Sequence, residues 1–201
     1  IYQSLTPQQQ TAARQIMLRM ITADPGGQAT RTRARRSELD SLGGSRFTTA
    51  AVIDGFAAHR LLSLDRDPTT GPPIIELAHE ALMTAWPRFR SWIEANRADL
   101  ALRQRLDAAV SEWRSSDGDP SYLRSGGRLA QFEEWAATTS LPLSPLEASY
   151  LSESTARRDA EAAAETQRIA HERTLEIRSR RRLRILVGVM AIAVAAVSVL
   201  A

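Results

Sequence analysis

Two short apolar runs on either side of a turn-forming segment most constrain how this chain can fold. Residues 61–64 read Leu-Leu-Ser-Leu, and residues 73–77 read Pro-Ile-Ile-Glu-Leu. Residues 67–72, between the runs, consist of Asp, Pro, Thr and Gly. Runs of this length around such a segment predict two antiparallel strands joined by a loop. A β-hairpin is therefore expected in the middle of a chain whose other patterns are helical.

The residues before the hairpin begin with a strong helix-start signal. Thr6 can cap a helix, Pro7 suits the first helical position, and Gln9 completes a capping box. Apolar residues then recur at helical spacing and predict one buried face. They are Ala13, Ile16, Met17, Met20 and Ile21. Residues 24–27, Asp-Pro-Gly-Gly, are expected to end this helix.

Three further elements are predicted between the first helix and the hairpin. Residues 30–36 alternate basic and small side chains, which favours a short edge strand. Ser37 is expected to cap a short helix that closes at Gly43 and Gly44, and Thr48 to cap a second helix. The buried positions of these two helices are Leu39, Leu42, Val52, Ile53 and Phe56. The order helix, strand, helix, helix, hairpin, helix is that of a winged-helix domain, which we assign to residues 1–96.

The remainder of the chain is predicted to be helical, so the fold class is mainly α. Pro87 is expected to restart a helix that ends near Asn96. Residues 97–150 carry apolar stripes at helical spacing and are assigned to a helical bundle. A second capping box, Ser144 with Glu147, opens a long helix. Residues 151–184 are rich in Ala, Glu and Arg and are interpreted as a charged helical stalk.

Residues 185–201 form an apolar run without a charged side chain. Its length is at the lower limit of what crosses a bilayer. Arginines precede it directly, as on the cytoplasmic side of a membrane helix. They are Arg178, Arg180, Arg181, Arg182 and Arg184. We predict a single-pass membrane helix with residues 1–184 in the cytoplasm. The alternatives are a buried core helix and an oligomer contact.

His79 stands at the junction between the second strand of the hairpin and the following helical region, where Trp86, Phe89 and Trp92 recur. Free N–H groups at a helix start favour an anionic ligand, and a histidine can donate to one. A lone histidine in such a place is more often a hydrogen-bonded structural residue. The residues alone leave both interpretations open.

The string IELAHEALMTAWPRFRSWIEANR, residues 75–97, resembles the end of the winged-helix domain in STAND-type signalling NTPases, in particular bacterial ones with WD40 repeats. Asp119, Leu123, Gly126, Arg128 and Leu129 also match a D-x-x-x-L-x-x-G-x-R-L pattern of those proteins.

The resemblance implies a regulatory role in an ATP/ADP switch. It implies that His79 contacts the β-phosphate of ADP, that a P-loop NTPase domain lies upstream, and that WD40 repeats lie downstream. It also implies homo-oligomerisation on activation. Glu80 stands where aspartate is common in the family, and Ala78 replaces a bulky apolar residue.

No catalytic residue and no metal site is predicted, so the chain is not expected to be an enzyme by itself. It has no cysteine, which excludes disulfides and thiolate metal sites. No G-x-x-x-x-G-K-[ST] phosphate loop occurs. His59, His79 and His171 are widely spaced, which does not suggest a metal site. ADP or ATP, held jointly with an NTPase domain, is the only cofactor expected.

Two other classes of function compete with the switch. A winged helix often binds DNA, so the chain could be a membrane-tethered DNA-binding regulator. Its candidate recognition helix, residues 48–58, contains Asp54 and no arginine or lysine, and the net charge of the chain is only +3. Phosphate contacts need basic residues on that surface, so DNA binding is the less favoured interpretation. A structural adaptor whose stalk sets the distance from the bilayer is the third.

Overall fold

The computed structural model describes the backbone of residues 1–23, 28–42, 45–66 and 71–200. Side chains are described for these residues up to 182, except at position 176, and again at positions 188 and 190. The expected helix ends at residues 24–27 and at Gly43 and Gly44, and the hairpin tip at residues 67–70, lie outside this range.

The described residues are mainly helical with small sheets, which confirms that the fold is mainly α. The helices are α1 Pro7–Arg19, α2 Arg36–Leu42, α3 Arg46–Ala58, α4 Leu82–Ala85, α5 Pro87–Ala95, α6 Arg97–Ser115, α7 Gly126–Thr138 and α8 Pro145–Leu200. The strands are β1 Ile21–Ala23, β2 Ala29–Arg31, β3 Ala34–Arg35, β4 Leu62–Arg66 and β5 Pro73–Leu77. Tyr2–Ser4 and Pro120–Tyr122 are short 3-10 helices.

The predicted hairpin is confirmed. Strands β4 and β5 are antiparallel, with Leu62 opposite Leu77 and Leu64 opposite Ile75. Strand β3 pairs with the other side of β5, so the sheet order is β3-β5-β4. Strands β4 and β5 therefore form one edge and the centre of a small antiparallel sheet.

The single strand expected at residues 30–36 is instead two strands in different sheets. Strand β2 pairs with β1, whereas β3 pairs with β5. The backbone N–H of Thr32 donates to the carbonyl of Met20 at 2.9 Å, so the first ladder ends there. The chain then changes partner, because Ala34 lies opposite Ile75 of the central strand.

Helix α1 begins as predicted and ends earlier than predicted. The Thr6–Gln9 capping box is present, with both reciprocal hydrogen bonds formed. The helix stops at Arg19, and Ile21 belongs to β1 rather than to the helix. Pairing of Ile21 with Arg31 in the β1–β2 ladder extends the backbone there, which overrides the helical spacing of the apolar residues.

Two predicted helix caps are wrong. Ser37 lies inside α2, which starts at Arg36 directly after β3. Thr48 lies inside α3, which starts at Arg46 after Ser45. No glycine or proline separates Arg46 from Thr48, so nothing in the local residues prevents the helix from starting nearly a turn earlier.

Two clusters of buried apolar side chains hold the first 155 residues together. The first joins α1, α2, α3, both sheets, α5 and the start of α6, and includes Leu141. The second joins α6, α7 and the start of α8. The expected buried positions Val52, Ile53 and Phe56 are fully buried in the first cluster. Helix α6 contributes to both, because Leu100 lies in the first and Leu106 in the second.

The chain divides into two compact units, residues 1–155 and 156–201. The predicted stalk, residues 151–184, is helical throughout, as expected. Its exposed large apolar side chains include Ile169, Leu175 and Ile177. The finer domain boundaries proposed from the sequence stay predictions.

No helix in the described part of the chain is long and apolar enough to cross a membrane. Most side chains of the expected membrane helix, residues 185–201, lie outside the described residues. The membrane helix therefore stays a prediction.

Candidate functional site

His79 lies in a tight turn directly after strand β5. The N–H of Ala78 still donates to the carbonyl of Leu61 at 3.0 Å, so the hairpin ladder continues to that point. The carbonyl of His79 accepts from the N–H of Leu82 at 3.1 Å, and the carbonyl of Glu80 accepts from the N–H of Met83 at 3.0 Å. These backbone bonds fix the turn on the last strand of the sheet.

The side chains of His79 and Glu80 are exposed at this turn. The imidazole has no hydrogen-bond partner among the residues that the structure describes. In a structural histidine the ring is commonly held by a hydrogen bond, whereas at His79 only the backbone is held. The ring is therefore available to donate to a group outside the described residues.

The helix that opens beside His79 is separate from the aromatic helix that was predicted to restart at Pro87. Helix α4 has four residues, and α5, which carries Phe89 and Trp92, starts only at Pro87. A single turn of helix carries little macrodipole, since the partial charge at a helix end sums over aligned peptides. The partial charge that we expected to support an anion at His79 is therefore small in this structure.

The aromatic side chains after His79 form the packing that supports the turn. Trp86 lies 5.9 Å from Phe89, 5.7 Å from Trp92 and 6.5 Å from Phe56, measured between ring centroids. Tyr2 packs edge-on against Trp92 at 5.3 Å. These are distances at which aromatic pairs attract each other. They place Trp86 and Trp92 in the first apolar cluster, as packing residues.

The other two histidines belong to other elements of the chain. Nδ1 of His59 lies 2.9 Å from the carbonyl oxygen of Gly55 at the end of α3. His171 is exposed on α8. Among the described residues, no group of three or more His, Asp or Glu side chains could hold a metal ion.

The second matched pattern, Asp119 to Leu129, forms the connection between α6 and α7. Asp119 accepts a hydrogen bond from the N–H of Ser121 at 2.8 Å and caps the short 3-10 helix. Gly126 has φ +60°, a left-handed conformation that favours glycine. Arg128 is exposed, and Leu129 is fully buried in the second cluster. The pattern therefore specifies a turn and one packing residue.

A buried charged cluster around Arg19 escaped the sequence analysis. The guanidinium of Arg19 donates to Glu38, to Glu147 at 2.7 Å and to Asp107 at 3.3 Å. The four residues come from α1, α2, α8 and α6. Arg103 lies beside them and donates from Nη2 to backbone carbonyls of the first cluster.

Burial and charge shift the pKa values in this cluster in opposite directions. Burial lowers the pKa of Arg19, but the carboxylates of Asp107, Glu147 and Glu38 outweigh burial and raise it. Burial, helped by the positive charge of Arg19, lowers the pKa of Arg103 to about 10, so it stays charged at neutral pH. Arg19 is 8% exposed and Arg103 3%.

Two of the three acids that meet at Arg19 have pKa values that are shifted in opposite directions. Burial and a hydrogen bond with Glu147 raise the pKa of Asp107 to about 8. Burial alone would raise the pKa of Glu147 as well. The hydrogen bond with Asp107, the charge of Arg19 and the backbone N–H of Ser144 outweigh burial and lower the pKa.

A cleft of about 980 Å³ opens over this cluster. Its charged lining residues are Arg19, Arg33, Arg35, Glu38, Asp107, Arg114 and Glu147. Asp107 is the acid of the cluster that reaches furthest into solvent, with 43% of its side chain exposed, compared with 25% for Glu38 and 1% for Glu147. The cleft therefore brings water to one edge of an otherwise buried charged cluster.

One signal in the sequence could have pointed to these residues. Arg103 lies three positions after Leu100 and three before Leu106, so a charge interrupts the apolar stripe of α6. Arg19 likewise lies three positions after Ile16. A charged residue on a buried helical face requires a partner, but its spacing does not say which partner.

Comparison with protein families gave a match between residues 1–121 and the family model described as Novel STAND NTPase 1. The match covers both sheets, the His79 turn and the whole of α6. Comparisons with curated proteins and with solved structures gave no match.

Proposed function

We propose that this chain, which belongs to the Novel STAND NTPase 1 family, is a regulatory part of a signalling NTPase and controls which nucleotide that protein holds. The observation that carries the proposal is that the family match includes the fixed turn that exposes His79. The chemistry of nucleotide hydrolysis would belong to an upstream P-loop domain, since this sequence contains no phosphate-loop motif.

The proposed docking module is a winged-helix domain formed by residues 1–96. Two features support it. Apart from β1 and β2, which lie between α1 and β3, the elements α1, β3, α2, α3, β4 and β5 occur in winged-helix order. The strand order β3-β5-β4 is antiparallel and places β5, which leads into His79, at the centre of the sheet. A central strand has partners on both sides, so it provides a rigid base for the residue that follows it.

In the proposed mechanism His79 donates a hydrogen bond to a phosphate oxygen of ADP that is bound to the upstream domain. A hydrogen bond to a charged phosphate is stronger than one between neutral groups. The contact holds the closed state, and exchange of ADP for ATP removes it and permits assembly into a homo-oligomer. A ligand shifts such an equilibrium only through contacts that differ between the two states, and the contact of His79 is one of them.

We also propose that the protein is attached to a membrane through residues 185–201, with residues 1–184 on the cytoplasmic side. The absence of charged side chains in that run and the arginines before it support this part of the proposal. WD40 repeats downstream would receive the signal. Separation of cell membranes from soluble protein, with and without residues 185–201, tests the attachment.

The experiment that tests the switch compares the full-length protein with its His79→Ala and His171→Ala variants. Each protein is purified and denatured, and the released ADP and ATP are quantified by chromatography. His171 is a matched control, because it is an exposed histidine on α8, in the other compact unit of the chain. We expect ADP in the wild type and in His171→Ala, and loss of ADP or its replacement by ATP in His79→Ala.

Equal amounts of ADP in all three proteins would remove His79 from the mechanism. No nucleotide in any of them would contradict the switch and favour the DNA-binding or adaptor alternatives. Salt-sensitive binding of duplex DNA would then distinguish these two. The exposed surface of α3 weighs against DNA, because it presents one arginine, Arg46, which pairs with Asp40, beside Asp54 at 71% exposure and Phe47 at 88%.

A further inference from the structure

Three carboxylates converge on one guanidinium where the two apolar clusters meet. Nη1 of Arg19 lies 2.7 Å from Oε1 of Glu147, and Nη2 lies 3.3 Å from Oδ1 of Asp107. Nε of the same side chain donates to Glu38. Helices α1 and α2 belong to the first cluster and the start of α8 to the second, while α6 contributes to both. The contacts of Arg19 therefore tie the clusters together.

The second guanidinium nearby does not bind these acids directly. Nη2 of Arg103 donates to the backbone carbonyls of Leu18 and Ile21, both at 2.7 Å. Its positive charge offsets part of the negative charge of the carboxylates. Its hydrogen bonds, however, go to the backbone at the end of α1 and the start of β1. Three carboxylates opposite two guanidinium groups leave one negative charge in excess.

Burial makes that excess charge unfavourable. Glu147 is only 1% exposed, so its carboxylate has almost no contact with water. An uncompensated charge in such a place is costly, and a buried acid responds by taking up a proton. Asp107 and Glu147 lie side by side on the two Nη atoms of Arg19, at 3.3 and 2.7 Å, so a proton taken up by one carboxyl group can be donated to the other.

The arginines around the cleft supply little of the missing positive charge. Arg33 is 62% exposed and pairs with Glu76 at 3.1 Å. Arg35 of β3 and Arg114 of α6 also line the cleft and are exposed. Water screens exposed charges strongly, so they weigh little against a buried carboxylate.

We propose that Asp107 and Glu147 share one proton beneath Arg19, and that this proton makes the cluster a pH-sensitive clamp between α1 and the first turn of α8. With the proton present, Arg19 holds both acids. Its loss leaves two adjacent carboxylates that repel each other, and the clamp loosens. Asp107 exchanges the proton with solvent, because it lies at the edge of the cleft.

The direction of the pH dependence follows from the pKa values. The pKa of Asp107 is raised from 3.8 to about 8, so its stabilising proton is fully bound at acidic pH and lost as the pH rises towards 8. The pKa of Glu147 is lowered from 4.5, so its contribution is lost only below that region. Between pH 5 and pH 8 the folded chain therefore binds one proton more than the unfolded chain.

Solvent at Asp107 limits how strongly the unfolding equilibrium constant depends on pH. A difference of one full proton changes the unfolding equilibrium constant about tenfold per pH unit. Because 43% of the Asp107 side chain is exposed, water screens part of the effect. We therefore expect the unfolding constant to rise by about threefold to tenfold per pH unit between about pH 5 and pH 8.

The test is urea unfolding of the full chain between pH 5 and pH 9, followed by tryptophan fluorescence and circular dichroism. In Asp107→Asn the amide donates to Glu147 in place of the shared proton and does not titrate. We expect this variant to fold and to lose most of the pH dependence. Asp54→Asn makes the same chemical change at a side chain that is 71% exposed, and should keep the wild-type dependence.

A second variant keeps the test decisive if Asp107→Asn does not fold. In Glu147→Gln the side-chain oxygen still accepts from the N–H of Ser144, so the helix cap is kept. It should likewise lose most of the pH dependence. The proposal is overturned if a folded variant at either position keeps the wild-type dependence, if the wild type shows no such dependence, or if neither variant folds.

Discussion

Replacing Arg103 by methionine should destabilise the chain, although it removes a buried charge. The side chain is 3% exposed and lies between Leu100 and Leu106 on α6. Its Nη2 donates to the carbonyl oxygens of Leu18 and Ile21, both at 2.7 Å. Methionine keeps most of the apolar stem, so the loss reports the hydrogen bonds and the charge.

The expected loss of unfolding free energy in Arg103→Met follows from these contacts. A hydrogen bond to a charged group contributes about 1.5–3 kcal/mol, so two bonds contribute about 3–6 kcal/mol. Burying a guanidinium offsets part of this gain, because desolvation of an ion costs several kcal/mol. The carbonyl of Leu18 also keeps a hydrogen bond from the N–H of Met20. We therefore expect the free energy of unfolding to fall by about 2–4 kcal/mol.

Urea unfolding at pH 7, followed by circular dichroism, measures this loss. Arg105→Met is the matched control, because Arg105 lies two residues further along α6 and is exposed. It should change the free energy of unfolding by less than about 0.5 kcal/mol. A loss below about 1 kcal/mol in Arg103→Met would refute the reasoning, since the two carbonyls would then be satisfied without the guanidinium.

Two further pairs of variants test burial and capping in the same assay. Phe56→Ala should lower the free energy of unfolding by about 3–5 kcal/mol, because the ring is fully buried against Trp86, whereas Phe47→Ala, 88% exposed on the same helix, should change it by less than about 0.5 kcal/mol. Thr6→Ala removes the capping box of α1 and should cost about 1 kcal/mol, while Thr6→Ser keeps the hydroxyl and most of the stability.

Each pair of variants has an outcome that would contradict the structure. Similar losses from the two phenylalanine variants would mean that Phe47 is buried in solution, or that Phe56 does not belong to the core. A loss in Thr6→Ser as large as that in Thr6→Ala would show that the hydroxyl is not the group that stabilises the helix start.

Signals between residues close in sequence predicted much of the fold correctly. The two capping boxes, Thr6 with Gln9 and Ser144 with Glu147, are both present. The restart of a helix at Pro87 is also confirmed. Each is a contact or constraint within a few residues, so the local chain contains all the information that it needs.

The predictions of secondary structure were wrong where strand pairing with a residue distant in sequence determines the backbone conformation. Ile21 continues the helical spacing of α1, yet pairing with Arg31 places it in a strand. Ala34 was expected in one strand with the residues before it, but its partner is Ile75 of the central strand. Helical spacing measures only the burial of a residue, and a buried strand position satisfies it equally well.

For the candidate site, the sequence by itself singled out His79 through its position after an apolar run and through the family resemblance. Only the tertiary structure decided that its ring is exposed on a turn whose backbone is fixed by hydrogen bonds. The clamp was invisible beforehand, because Arg19 meets Asp107 and Glu147 across 88 and 128 positions of the chain. Local patterns determine which residues become helical and buried, whereas the packing of distant helices decides which buried charges share a proton.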